Sequence, residues 1–102
     1  MEVQQQPLRF YRQKETVSLS AQNTFTDPLP LFGDFNLSLS GTWVGTVTLQ
    51  RTFDEGTTWL DVADYTANIE DRGFEPESGV QYRAGFKTGE YTSGTAVVRL
   101  SQ

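Results

Sequence analysis

Nearly all the side chains here that could do acid–base or metal chemistry are carboxylates. Neither His nor Cys occurs in the 102 residues. That removes the usual proton shuttle near neutral pH, the commonest metal ligand, and any thiolate nucleophile or disulfide. What remains is a run of acidic residues: Asp61, Asp64, Glu70, Asp71, Glu75 and Glu77. Two carboxylates about 5–10 Å apart across a sugar could cleave a glycoside, and several converging oxygens could hold a hard cation. The spacing matches no calcium loop, however, and positions 67–76 read as a solvated acidic loop or a short edge strand. No catalytic residue, metal ligand or cofactor is expected.

A tighter pattern stands at Thr52-Phe53-Asp54-Glu55-Gly56-Thr57-Thr58-Trp59. It resembles the Asp-box, S/T-x-D-x-G-x-T-W, of sialidase propellers and other β proteins. The resemblance implies a structural hairpin rather than a catalytic centre. Thr52 opens it, Asp54 accepts from turn N–H groups, Gly56 takes a positive φ, and Trp59 packs beneath. One copy cannot make a propeller, which needs several blades. Flat rings could instead stack on sugars. Trp59 is expected in the core, while Trp43, beside a turn, and Tyr91 are the candidates for exposed aromatics.

The first 14 residues differ in texture from the rest. MEVQQQPLRFYRQK has no strand or helix period and holds three cations against one carboxylate, a net +2, which leaves −7 for the other 88 residues. Residues 1–14 read as an arm and 15–102 as the folded domain. Within the arm, Arg9, Phe10, Tyr11 and Arg12 set two aromatics between two guanidinium groups, a combination enriched at protein interfaces. A basic arm suits an acidic surface, on a neighbouring copy or on a larger shell. The acidic body disfavours nucleic acid, whose affinity comes from neutralised phosphates. No apolar run is long enough to span a bilayer, and no signal-peptide pattern opens the chain. A soluble protein made in the cytoplasm is expected.

Positioning these residues falls to strands. Thr16–Ser20 alternates in polarity, and so do Phe35, Leu37 and Leu39 against Asn36, Ser38 and Ser40. Period-2 alternation marks half-buried strands. Asp27-Pro28-Leu29-Pro30 reads as a linker, because two prolines forbid a central strand. Ser40-Gly41 reads as a turn, Trp43–Phe53 as the longest strand, Asp54-Glu55-Gly56 as a hairpin turn, and Trp59–Val62 as its return. Val80–Phe86 alternates again, Lys87-Thr88-Gly89-Glu90 reads as a further turn, and Thr95–Leu100 as the last strand. Six to eight short strands with no helical window predict an all-β antiparallel sandwich.

Two resemblances refine that expectation. Gly79–Lys87 around Tyr82 is similar to the penultimate strand of an immunoglobulin or fibronectin type III domain, which implies that the Tyr82 hydroxyl bonds back to the main chain at a corner between sheets. The missing cysteines depart from immunoglobulins proper. Gly45–Arg51, with the hairpin after it and the tail Tyr82–Phe86 and Gly89–Gln102, resembles small virion accessory proteins of tailed bacteriophages. That resemblance implies a non-enzymatic particle protein, foremost a capsid decoration protein, contacting capsid or tail proteins and neighbouring copies. A homo-oligomer is implied, a trimer by analogy, located in the virion after synthesis in the bacterial cytoplasm. A neck or tail component and a glycan-binding adhesion module are the alternatives.

Overall fold

Period-2 alternation becomes two very long strands that carry everything else. The computed structural model describes residues 13–102. Seven strands follow one another: β1 (Lys14–Leu19), β2 (Thr24–Phe25), β3 (Leu29–Pro30), β4 (Gly33–Thr52), β5 (Leu60–Tyr65), β6 (Ile69–Glu75) and β7 (Gln81–Ser101). There is no helix among the described residues. All pairings are antiparallel and belong to a single sheet. The all-β sandwich class expected from the alternation is what forms.

β4 and β7 pair with each other from Asn36↔Ser101 to Thr52↔Gln81. The first part of β4 also takes β6 on its outer edge, and the last part of β7 takes β1. The last part of β4 takes β5, and the first part of β7 takes the two-residue strands β2 and β3. The sheet then folds over on itself, bringing its two parts face to face. Phe35 in one part meets Tyr82 in the other with ring centroids 4.6 Å apart. Between them lies the core, which includes Leu37, Leu39, Val47, Leu49, Ala84, Phe86, Val98 and Leu100.

The places where the chain folds over correct the sequence reading. Lys87-Thr88-Gly89-Glu90, expected as a reversal, is a wide bulge. Val47 pairs with Phe86 and Gly45 with Tyr91, so these four residues of β7 oppose only Thr46 of β4. Turn-forming residues serve a bulge as well as a hairpin, since both ask for unusual backbone angles. Ser40-Gly41 likewise continues β4 instead of reversing it. Gly41 has φ +95 and pairs with Ala96, while Gly94, with φ +86, pairs with Trp43. A Cβ on Gly94 would stand 2.2 Å from the Thr42 carbonyl oxygen, so the glycine permits a backbone approach that no side chain allows. Two other expectations shift slightly. β1 opens at Lys14, the last residue of the expected arm. The proline linker contributes an edge pairing, Leu29↔Tyr82 and Pro30↔Gln81, a position proline tolerates.

Gly94→Ala should therefore cost more than about 2 kcal/mol, adding steric displacement of β4 to the 1–2 kcal/mol of a left-handed φ. Gly89→Ala is the matched control. Its φ is +89, but nothing lies within 4 Å of the added methyl, so only the conformational cost applies. Urea midpoints of the two variants should differ clearly; equal losses would show that the contact with Thr42 does not constrain the strand.

Candidate functional site

Beginning with the hairpin between β4 and β5, the local chemistry fixes the backbone. Thr52 Oγ1 donates to Asp54 Oδ1 at 2.7 Å and accepts from the N–H groups of Asp54 and Gly56. Asp54 Oδ1 also accepts from Thr58 N–H at 2.8 Å. Those bonds, that from Thr58 first and that from Thr52 next, hold the Asp54 carboxyl below its ordinary pKa. Glu55 and Gly56 both take positive φ, 58 and 94, and the Trp59 ring lies against the Gly56 backbone. The Thr52 hydroxyl and Asp54 Oδ1 are thus both engaged in shaping the turn.

Trp59 is not in the core, contrary to expectation. It is half-buried on the outer face of the folded-over part, where Arg83 stacks between two rings. The guanidinium carbon is 4.3 Å from the Trp59 centroid and 3.8 Å from that of Phe25. Arg83 Nε donates to Gln50 Oε1, Gln50 Nε2 donates to Asp61 Oδ1, and Lys87 Nζ donates to Asp61 Oδ2. Burial lowers the pKa of Arg83, yet the cation gains two π faces and a hydrogen bond. The bonds from Gln50 and then Lys87 lower that of Asp61. The stack explains why Gln50, Thr48 and Thr52 are buried although they point away from the apolar core. Phe25 comes from β2, Arg83 from β7 and Trp59 from the hairpin, so no single sequence window could have revealed it.

A second cluster lies inside the sandwich. Glu75 is 1% exposed. Its Oε1 accepts from the Tyr82 hydroxyl and from Arg51 Nη1, both at 2.7 Å, and its Oε2 accepts from Glu77 N–H at 3.0 Å. Tyr82 thus bonds to a buried carboxylate and not to the main chain, which corrects the corner expected from the immunoglobulin-like segment. Burial alone would raise the Glu75 carboxyl, but the three donors outweigh it and hold its pKa below the usual range. Burial first, and then the bond to Glu75, push the Tyr82 hydroxyl up to about 12. Further along β6 the Tyr65 hydroxyl donates to Asp71 Oδ2 at 2.8 Å; burial first, and then this bond, raise the tyrosine, and the bond lowers the aspartate.

The acidic run is dispersed over two strands, and of the two forms expected for 67–76, a loop or a short edge strand, the edge strand is the one that forms. In this strand, β6, alternation sends Asp71 and Glu75 inward, while Glu70 faces out and accepts from Ser38 Oγ at 2.6 Å. Asp64 accepts from Thr48 Oγ1 on another strand. No group of three or more acidic side chains converges as a cation site among the described residues. The period-2 placement of Asp71, Gly73 and Glu75 was the signal available in the sequence.

Trp43 and Tyr91 are half-buried and packed on the core. Both meet Phe86 edge-on, at centroid distances of 5.8 and 5.1 Å. Trp43 Nε1 donates to Asn68 Oδ1, and the Tyr91 hydroxyl donates to the Gly94 carbonyl. They brace the fold-over and do not form the open ring platform a sugar needs. Arg9, Phe10, Tyr11 and Arg12 lie outside the described residues.

What the described surface does offer is apolar. Phe32, Val44, Phe53, Leu60, Val62, Ile69 and Phe74 are all exposed. Phe53 and Leu60 flank Arg51, which pairs with Leu60 in register and lies 4.9 Å over the Phe53 ring. Phe74 pairs with Asp34, two residues from Phe32. Comparison with family models, with curated proteins and with solved structures finds no match to this chain.

Proposed function

We propose that this chain is a non-catalytic structural protein that docks on the protein surface of a larger assembly through apolar side chains on one end of its sandwich. The observation that carries this reading is the pair Phe53 and Leu60 flanking Arg51, with Val62 also exposed two residues further along β5, large apolar residues left in water on a sheet scaffold. Meanwhile the ionisable groups Glu75, Arg51, Asp61, Lys87 and Arg83 are occupied with one another or with neighbouring rings. Contiguous exposed apolar residues on a small domain mark interaction sites, and binding energy concentrates in a few such anchors.

In its finer form the reading follows the sequence resemblance. The assembly is a tailed-phage particle, and the protein is a capsid decoration protein, with copies in contact with one another at symmetric positions; a neck or tail position is the alternative. Each copy would stabilise the shell by binding its assembled form by mass action. The test is cosedimentation of purified protein with shells and with tails of a candidate phage. Saturable binding to shells is expected, and Phe53→Ser with Leu60→Ser should weaken it at least tenfold while leaving the thermal transition nearly unchanged. Binding to neither particle, or undiminished binding by the double variant, would refute the reading.

A further inference from the structure

The cations that the fold leaves unused stand together on one face. Of the chain's 8 Lys and Arg and 13 Asp and Glu side chains, Arg9, Arg12 and Glu2 precede residue 13, which leaves six against twelve, a net −6. Three of the six are engaged by the fold itself: Arg51 with Glu75, Lys87 with Asp61, and Arg83 between two rings. The other three, Lys14, Arg72 and Arg99, enter no ion pair among the described residues.

Strand register brings those three to one side. In the part of the sheet ordered β1-β7-β4-β6, Lys14 pairs with Ser101, Ser101 with Asn36, and Asn36 with Arg72. Arg99 precedes Ser101 by two residues, and its Nη1 donates to the Ser101 hydroxyl at 2.9 Å. The alternate residues Leu37, Val98 and Leu100 fill the core, so Lys14, Arg72 and Arg99 share the outer face. Lys14 and Arg72 are three strand spacings apart, about 14 Å, with Arg99 on a strand between them. Two carboxylates stand on the same face: Glu70, which accepts from Ser38, and Asp34 at its end. The face therefore carries +1 and the rest of the described residues −7.

The outer face of the other part supplies the complement. β5 is bulged at Val62, because Leu49 pairs with Ala63 and Gln50 with Asp61. The extra residue brings Asp61 and Asp64 to one side, where they accept from Gln50 and Thr48. Both carboxylates are exposed. The accessible cation beside them is Lys87, whose pKa is raised by the bond to Asp61 and further by the charges of Asp61, Asp64 and Glu90. Three carboxylates thus face one ammonium, while Arg83 is half-buried in its stack.

We propose that these two faces bind each other in neighbouring copies, the face of Lys14, Arg72 and Arg99 on one molecule seating the face of Asp61, Asp64 and Glu90 on the next. Both are outer faces of one sandwich and point in opposite directions, so the contact is heterologous. Growth then continues past the dimer unless a ring closes. Complementary charge steers and registers such a contact more than it tightens it, and salt screens it. The inference gives a surface to the contact between copies in the reading above and rests on that part of it alone. Phe53 and Leu60 take no part, so the docking surface stands or falls separately.

Sedimentation velocity of the full-length protein alone tests it, over a hundredfold range of concentration. The measurement is made in about 0.01 M and about 1 M salt, where charges act over about 30 Å and about 3 Å. The average sedimentation coefficient should rise with concentration in low salt and stay at the monomer's value in high salt. Arg72→Glu with Arg99→Glu should weaken association at least about tenfold, and so should Asp64→Lys with Glu90→Lys. Mixed together, the two double variants present opposite charges and should associate again, which also shows that both are folded. A coefficient that stays at the monomer's value in low salt overturns the proposal, as does a mixture that remains monomeric. Association that high salt leaves intact, or that survives either double variant, would place the contact on another surface and overturn it too.

Discussion

Replacing Phe86 by alanine should lower the unfolding free energy by about 3–5 kcal/mol, the usual cost of deleting a fully buried phenyl ring. Phe86 is 0% exposed and sits where both long strands cross from one part of the sheet to the other. Its ring receives the edges of Trp43 from β4 and Tyr91 from β7, and it lies within contact distance of the Gly45 backbone. Loss of the two aromatic pairs, about 0.5–1.5 kcal/mol each, places the cost in the upper half of that range. A domain of this size has only about 5–15 kcal/mol in total. At about 4–8 °C per kcal/mol, the melting temperature should fall by 15 °C or more, and the near-ultraviolet circular dichroism of Trp43 should weaken even before unfolding. Phe53→Ala, at an exposed ring, is the control and should cost under about 1 kcal/mol. A Phe86→Ala loss as small as the control's would mean that this ring does not hold the fold-over together.

The same region shows why part of the fold was legible and part was not. Leu37 and Leu39, and Val47 and Leu49, alternate with polar neighbours, and each of those apolar residues is in the core. Burial on one face of a sheet imposes that period directly, so it can be read residue by residue. Where the chain reverses is less readable. Gly41, Gly89 and Gly94 look like turn residues because a turn and a bulge make the same local demand for positive φ. Only the partner strand decides between them, and the pairing of Val44 with Ser93 or Gly45 with Tyr91 is a long-range fact. The reading of several short strands thus became two strands of 20 and 21 residues, with the same core.

The candidate site divides along the same line. The bonds among Thr52, Asp54, Gly56 and Thr58 span at most four residues, so the motif that specifies them lies within one sequence window. The Phe25–Arg83–Trp59 stack and the Glu75–Arg51–Tyr82 cluster each join residues from three separate segments. Composition even argues against the second, because an acidic stretch ordinarily faces water. Period-2 alternation within β6 turns Glu75 inward, and the cost of burying it is met only because Arg51 and Tyr82 arrive from the other part of the folded sheet.

That dependence makes Glu75→Gln the second large effect. The amide oxygen can still accept from Tyr82, but Arg51 loses its counter-ion beside a buried acceptor. Hydrogen bonds to charged groups contribute about 1.5–3 kcal/mol, and losing one member of a buried pair costs about 3–5. The Arg51 side chain is 33% exposed and can partly rehydrate, which sets the expectation at the lower end, about 2–3 kcal/mol at pH 7. The pH dependence gives the sharper test. The folded pKa of Glu75 is lowered, whereas the unfolded value stays near 4.3. Its contribution is therefore fully present above about pH 5 and is lost as pH falls through the folded value, where folding no longer favours the ionised form. Asp54, Asp61 and Asp71 are lowered as well, so both proteins should weaken in acid. Only the difference between them belongs to Glu75. Urea unfolding of wild type and variant at steps from pH 7 to pH 2.5 should give two stability curves separated at neutral pH and converging below about pH 4. A separation that stays constant across that range would place the variant's cost in packing and would remove the ionised Glu75–Arg51 pair from the account of what holds the two parts of the sheet together.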